Sequence, residues 1–217
     1  MTRSHRLHAG LLALVLAVLV WSGIAPRDRL TWAMEVAPVV IGLALLLPTY
    51  RTFRLTDLLY VLIAFHAVIL MVGGKYTYAE VPPFNWLRDA WDLSRNHYDR
   101  VGHFVQGFVP TLLVRELLLR TSPLRPGRWL FTIVAFSCLG FSALYELIEW
   151  TAAVLLGSNA DAFLATQGDV WDTQKDMALA LVGALLGQLL LGRWHDRQLA
   201  CVKSAAQEFP LSRSVSP

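Results

Sequence analysis

Charge is scarce in this chain. Only 16% of its 217 residues are Asp, Glu, Lys or Arg, against 55% hydrophobic, whereas a soluble domain carries about 25% charged residues. Cysteine is scarcer still. Cys138 lies in an apolar run and Cys201 near the C-terminus, which excludes a disulfide framework, and no C-x-x-C or Cys/His zinc spacing occurs. Also missing are G-x-S-x-G, the Walker A loop, H-E-x-x-H and G-x-G-x-x-G. With them go the common signatures of a serine hydrolase, a P-loop NTPase, a zinc protease and a dinucleotide enzyme. No repeat of fixed period is present.

What the chain has is apolar length. Mean hydropathy is +0.47, concentrated in Leu11–Ile24, Met34–Pro48, Leu58–Val72, Phe104–Leu119, Trp129–Leu156 and Met177–Gly192. Each, with its flanks, approaches the roughly 20 residues that carry a helix across a bilayer core. The expectation is an all-α polytopic bundle of about six transmembrane helices, near 9–24, 33–48, 57–73, 101–120, 129–153 and 174–193. These form one membrane domain over 1–200, followed by a disordered cytoplasmic tail at 201–217. Arg3 and Arg6 before the first run fit a signal peptide. Pro26, directly after Gly23-Ile24-Ala25, is a poor start for a cleaved product, so the run is expected to stay as a helix.

The side holding Arg3, Arg51, Arg120 and Arg197 collects 12 of the 19 Lys and Arg residues, the other side 7. The positive-inside rule then places both termini in the cytoplasm, with the chain in a bacterial inner membrane. A basic inner face accounts for the pI of 9.1, and no nucleic-acid partner is needed. Arg115 and Arg120 are expected to snorkel to the inner interface. His66, alone within the third span, reads as a hydrogen-bonded helix histidine. After Pro82-Pro83, the apolar residues Phe84, Leu87, Ala90 and Trp91 recur at helical spacing. They predict a short interfacial helix on the outer surface, anchored by Trp86 and Trp91. One helical turn is expected after Asn159.

Three pairs of ligand-type side chains stand out. Asp99 and His103 are four apart on the fourth span, Glu146 and Glu149 three apart on the fifth, and Asp172 and Asp176 four apart on the sixth. Such pairs share a helix face. Because the fourth and sixth spans run inward and the fifth outward, all three pairs arrive at one outer depth. Carboxylates there are costly unless paired, protonated or metal-bound. Glu146 and Glu149, set in "FSALYELIEWTAAVLLG", would repel each other when both are ionised. Carboxylates plus one imidazole suit Mg²⁺, Mn²⁺, Fe²⁺ or Zn²⁺, and bundle metal sites are built from such side chains on facing helices. Plainer roles exist for each. Asp172 and Asp176 can cap a helix start, and Asp99 can pair with Arg95 or Arg100 at the surface. Gly183 and Gly187 suit close helix packing.

Four strings, "GGKYTYAEVP", "RNHYDRVGHFVQGFVP", "LYELIEW" and "TQGDVWDTQKDM", resemble the YjdF-type bacterial inner-membrane proteins, a family of unknown function. That resemblance covers about Leu58 to Gly192. More distantly, "YDRVGHF", then Glu149, then Asp176 with Gly183 and Gly187, is similar to VanZ-like membrane proteins, which are associated with glycopeptide resistance and the cell envelope. Ala180 stands where that pattern often has Asn, and "WDTQK" replaces its Arg-bearing approach. The second resemblance therefore implies a common fold and the positions Asp99, His103, Glu149 and Asp176, not an identical activity.

The functional expectation is an acidic, metal-binding site on the outer face, formed by Asp99, His103, Glu146, Glu149, Asp172 and Asp176. His103, Glu149 and Asp176 are its candidate catalytic groups. Tyr76, Tyr78 and Glu80, beside Lys75, are candidates to cover it. A divalent ion there would serve an enzyme acting on a lipid or lipid-linked envelope substrate. A non-catalytic envelope scaffold and a proton, cation or small-solute transporter stay open as alternatives. Substrate, metal identity, oligomeric state and whether the chain is an enzyme at all are not legible at this level.

Overall fold

The computed structural model describes residues 3–156 and 166–208, and among these the regular secondary structure is helical. The first three spans are α1 (Arg3–Gly23), α2 (Arg29–Thr49) and α3 (Asp57–Tyr76). The short α4 (Pro82–Ala90) follows, then α5 (Tyr98–Phe108), α6 (Pro110–Thr121), α7 (Arg128–Leu156) and α8 (Asp172–Glu208). Five of these, α1, α2, α3, α7 and α8, are long and apolar enough to cross a membrane. The expected fourth span is α5 and α6 end to end. Val109 keeps helical angles and donates to Val105, but Pro110 has no N–H to give the Gln106 carbonyl, so the ladder breaks there. From Tyr98 to Thr121 the pair still rises about 35 Å at 1.5 Å per residue. The last helix runs beyond Arg193, where the sixth span was expected to stop, to Glu208. The turn expected after Asn159 and the last residues of the tail lie outside the described residues.

Local chemistry sets the helix starts. Asp28 caps α2 by accepting from the Thr31 N–H at 2.6 Å, a bond that holds its carboxyl below the usual range. Pro82 and Pro83 open α4, where the missing N–H groups would have been unpaired anyway. Trp86 and Trp91, at 69% and 70% exposed, form the apolar outer side of this segment. The long helices likewise turn Ile41, Leu45, Phe136, Leu147, Leu189 and Leu190 outward, each more than half exposed. In water such a surface would aggregate; a lipid bilayer is the solvent it suits.

The most intimate pair is α5 and α8. A Cβ on Gly107 would overlap the Ala180 carbonyl, and one on Gly183 would overlap the Phe104 carbonyl. One on Gly187 would lie 2.7 Å from the Phe108 carbonyl oxygen. Lipid tails are as apolar as leucine, so close backbone packing must hold such helices together. The small-residue face read from Gly183 and Gly187 is thus real, and Gly107 and Ala180 complete it. On the other flank, α1 and α2 lean on α3 through Val15, Val36, Val39, Ala64, Ala67 and Met71.

At the end carrying both termini, a buried polar network joins α3, α6 and α8. Glu116 is fully buried and accepts from Thr56 Oγ1 (2.9 Å), Arg120 Nη1 (2.8 Å) and His195 Nε2 (3.0 Å). Arg115 donates to both oxygens of Asp196 and to His195 Nδ1. The snorkelling expected of Arg115 is therefore corrected: it is 6% exposed and turns inward, because two partners on α8 satisfy its guanidinium. Arg120 also points inward to Glu116 and the Arg54 carbonyl, with its plane 3.6 Å above the Phe53 ring.

The glycine contacts predict a contrast. Gly183→Ala must push α5 off α8 and should lower the melting temperature in detergent by the upper part of the ~1–3 kcal/mol range of overpacked cores. Gly140→Ala, where nothing lies within 4 Å of the added carbon, should leave it unchanged or raise it. Equal behaviour of the two variants would contradict this packing.

Candidate functional site

The bundle brings the three sequence-spaced pairs together at the end opposite the termini. Asp99, His103, Glu146, Glu149, Asp172 and Asp176 are each at most 9% exposed. The close approach of α5 to α8 puts Asp99 and His103 against Asp176. One potential ligand atom from each of these three lies within 4.8 Å of the others. His103 Nε2 is 3.5 Å from Asp99 Oδ1, and Nδ1 is 3.1 Å from Gln106 Oε1 and 3.8 Å from Glu146 Oε1. Since Gln106 Oε1 can only accept, Nδ1 carries the proton in that bond. Nε2 is then left facing the aspartates. From α7, Glu146 and Glu149 stand within electrostatic reach of His103 and Asp99. Asp176 Oδ1 and Glu146 Oε1 are buried with no hydrogen-bond partner.

Arg95 provides the fixed positive charge. The sequence suggested a surface pair with Asp99, and the structure corrects this. Arg95 is 4% exposed, donates to Asp99 Oδ2 at 3.2 Å, pairs with Asp172, and lies 3.6 Å from Asp169. Its burial follows from the turn before α5, where Asn96 is pinned from several sides. The Asn96 Nδ2 donates to the Val81 carbonyl (3.1 Å) and Asn85 Oδ1 (2.8 Å). Its backbone N–H donates to Gln167 Oε1 and its carbonyl accepts from Gln167 Nε2. The segments before α5 and before α8 thus form one roof. Asp172 binds Arg95 rather than the backbone. The local turn before α8 is made by Asp169, which accepts from the Trp171 N–H, Lys175 and Arg100. The Lys175 ammonium, with the Trp171 N–H, holds the Asp169 carboxyl below its usual range.

Of the residues expected to cover the site, Tyr78 lies beside it, within electrostatic reach of Glu35 and Asp99. Thr77 and Tyr78 adopt left-handed backbone angles (φ +59° and +51°), which fold the Tyr78 ring back over Gly73 and Gly102. A Cβ on Gly73 would overlap that ring. Burial, reinforced by nearby Glu35, pushes the Tyr78 hydroxyl well above its ordinary pKa, so it stays a hydrogen-bond donor. The other three point elsewhere. Lys75 donates to the Ile24 carbonyl at 2.6 Å and Tyr76 lies against Trp21, while Glu80 pairs with Arg27.

Glu35 on α2 was not foreseen. It is 4% exposed, accepts from the Tyr145 hydroxyl at 3.0 Å, and lies within electrostatic reach of Asp99 and His103. A signal existed: six residues into α2, it reaches the same end of the bundle as the three pairs. As a single acid with no helix-spaced partner it did not stand out. The assembled site therefore sets six carboxyls, Glu35 included, beside one guanidinium and one imidazole among the described residues. Asp99 and Asp172 stand in the first turn of their helices, with His103 and Asp176 one turn further in.

A model of the family described as "Predicted membrane protein (DUF2238)" matches residues 7–197. The chain is similar to the Inner membrane protein YjdF of Escherichia coli (strain K12), 53% identical over 182 residues, which is 84% of this chain and 87% of that protein. No solved structure matches it.

Removing the one guanidinium should be severe. Arg95→Ala leaves Asp99 and Asp172 buried against each other, and breaking a buried pair costs about 3–5 kcal/mol. A strong fall in melting temperature is expected, with partial recovery in Arg95→Lys, which keeps the charge but not the two-sided fork. An unchanged Arg95→Ala protein would refute this role.

Proposed function

We propose that this chain, which belongs to the DUF2238 family of membrane proteins, is a multi-pass inner-membrane protein with cytoplasmic termini and a divalent-metal centre on its outer face. Its metal ligands would be Asp99, His103 and Asp176, with Glu149 and Glu146 beside them. The observation that carries this is the convergence of three ligand atoms within 4.8 Å of one another, next to buried carboxylate oxygens with no hydrogen-bond partner. A helix terminus needs no such oxygens, and buried anions without a counter-cation are costly. The excess of carboxyls over Arg95 and His103 fits a dication. Gln106, by accepting from Nδ1, orients His103 as outer partners of metal-bound histidines do. The orientation rests on the bias of Lys and Arg towards the terminal side.

A site near the ends of the helices, beneath the turns that Asn96 and Gln167 join, would suit a lipid or lipid-linked envelope molecule with a phosphoryl or ester group. A bound dication would polarise that group or lower the pKa of water. Glu149, within reach of His103 and Glu146, would serve as the proton acceptor in such a reaction, and Arg95 would hold Asp99 and Asp172 in register.

Metal content of the detergent-purified protein, by inductively coupled plasma mass spectrometry, tests the centre. About one equivalent is expected in the wild type and none in Asp99→Asn/Asp176→Asn. Affinity should fall about 10–100-fold in Gln106→Leu, as for other outer partners. Absence of metal in the wild type after reconstitution with Mg²⁺, Mn²⁺, Fe²⁺ and Zn²⁺ would overturn the centre and leave a proton-sharing carboxylate cluster.

A further inference from the structure

A cavity lies towards the other end of the bundle from the acidic cluster, between α1, α2 and α3. α1 and α2 each pack along α3 but touch one another little, so a wedge stays open between them. This groove has a volume of about 660 Å³, and its wall is mainly apolar, including Leu11, Val15, Pro38, Leu43 and Ile63. Gly42 also lines it, and nothing lies within 4 Å of where its Cβ would stand. Along α2 the groove runs from Pro38 to Tyr50, about 18 Å at 1.5 Å per residue. Half of a bilayer core is about 15 Å. The groove is therefore as deep as one leaflet and opens at the terminal end of the bundle.

That opening is polar and built. His8 is 8% exposed and held between the Tyr50 hydroxyl at 2.8 Å and Asp57 at 3.0 Å, with the Tyr60 ring against it. Asp57 also lines a neighbouring recess of about 580 Å³, together with Ser4, Arg51, Arg54, Arg120 and Gln198. The His8–Asp57 contact is thus the wall that the two cavities share, and sets the recess beside the mouth of the groove. Arg120 is engaged by Glu116, which leaves Arg51 and Arg54 against the one carboxylate of Asp57. The recess keeps a net positive charge, and such residues at a membrane surface attract anionic headgroups by about 1 kcal/mol each.

We infer that the groove and the recess together bind one anionic glycerophospholipid of the leaflet at the terminal side, an acyl chain lying along Gly42 and the phosphate beside Arg51 and Arg54. A chain-deep apolar slot that ends in a cationic recess at headgroup level matches that molecule in both halves. A zwitterionic lipid satisfies only the slot. On the orientation proposed above, this is the inner leaflet. The site lies at the opposite end from the acidic cluster, so either can fail without the other.

Native mass spectrometry of the full-length protein in detergent, offered equal amounts of phosphatidylglycerol and phosphatidylcholine with the same acyl chains, tests this. The wild type should retain one phosphatidylglycerol, about tenfold over phosphatidylcholine, a ratio within reach of one or two arginine contacts. Phosphatidylglycerol should also raise its melting temperature, since a ligand that binds only the folded state stabilises it. Gly42→Phe, whose ring enters open space, should lose both effects, whereas Gly42→Ala should keep them. Arg51→Glu should abolish the preference between the two lipids. No preference and no thermal shift in the wild type would overturn the inference, and so would undiminished retention by a folded Gly42→Phe protein.

Discussion

Close backbone contact between α5 and α8 is the constraint on which the rest depends. Gly107 meets the Ala180 carbonyl, while Gly183 and Gly187 meet the Phe104 and Phe108 carbonyls. In lipid no hydrophobic force pulls helices together, so this packing, with Thr111 donating to the Ala184 carbonyl at 3.2 Å, must hold the pair. The same contact fixes the register at which Asp99 and His103 face Asp176. It also aligns Arg115 with His195 and Asp196 at the far end. One helix pair thereby sets the geometry of both polar clusters.

The clusters differ in how completely they are satisfied. Around Glu116 each charge has its partner: Arg120 and Thr56 on the carboxylate, Asp196 on Arg115, and His195 between them. Such closed networks specify how helices dock. Around Asp176 the accounting does not close. Arg95 and His103 cannot offset six carboxyls, and two buried oxygens stay unpartnered. In a low-dielectric setting that imbalance is too costly to be incidental. The difference sets a closed network at one end of the bundle against an unbalanced acidic cluster at the other.

Pro110 ties the two together. By breaking the ladder between α5 and α6 it divides one membrane crossing into a half that carries Asp99 and His103 and a half that carries Arg115 and Glu116. Each half can then aim its polar face at α8 without a single straight helix having to satisfy both. Pro38 sits comparably within α2, between Glu35 above and the groove residue Gly42 below.

Hydropathy and spacing alone determined a great deal: the all-helical membrane class, five of the spans outright, the interfacial segment after Pro82-Pro83, and the three pairs at one depth. Those properties are written in runs and periods along a single helix, and the bilayer's thickness and solvation make them readable. What they could not carry was anything that depends on who faces whom. The inward turn of Arg115, the burial of Arg95 beneath the Asn96–Gln167 roof, the folding back of Tyr78, and Glu35 in the acidic cluster are all decided across helices. So are the departures of Lys75 and Glu80 from the site and the open wedge beside Gly42. Helix azimuth is set by the neighbours' shapes and hydrogen bonds, and a single glycine or carbonyl on a distant segment decides it. The tertiary structure therefore determined which of the acids at that end of the bundle share one cluster, because only packing brings side chains of different helices within 4.8 Å of one another.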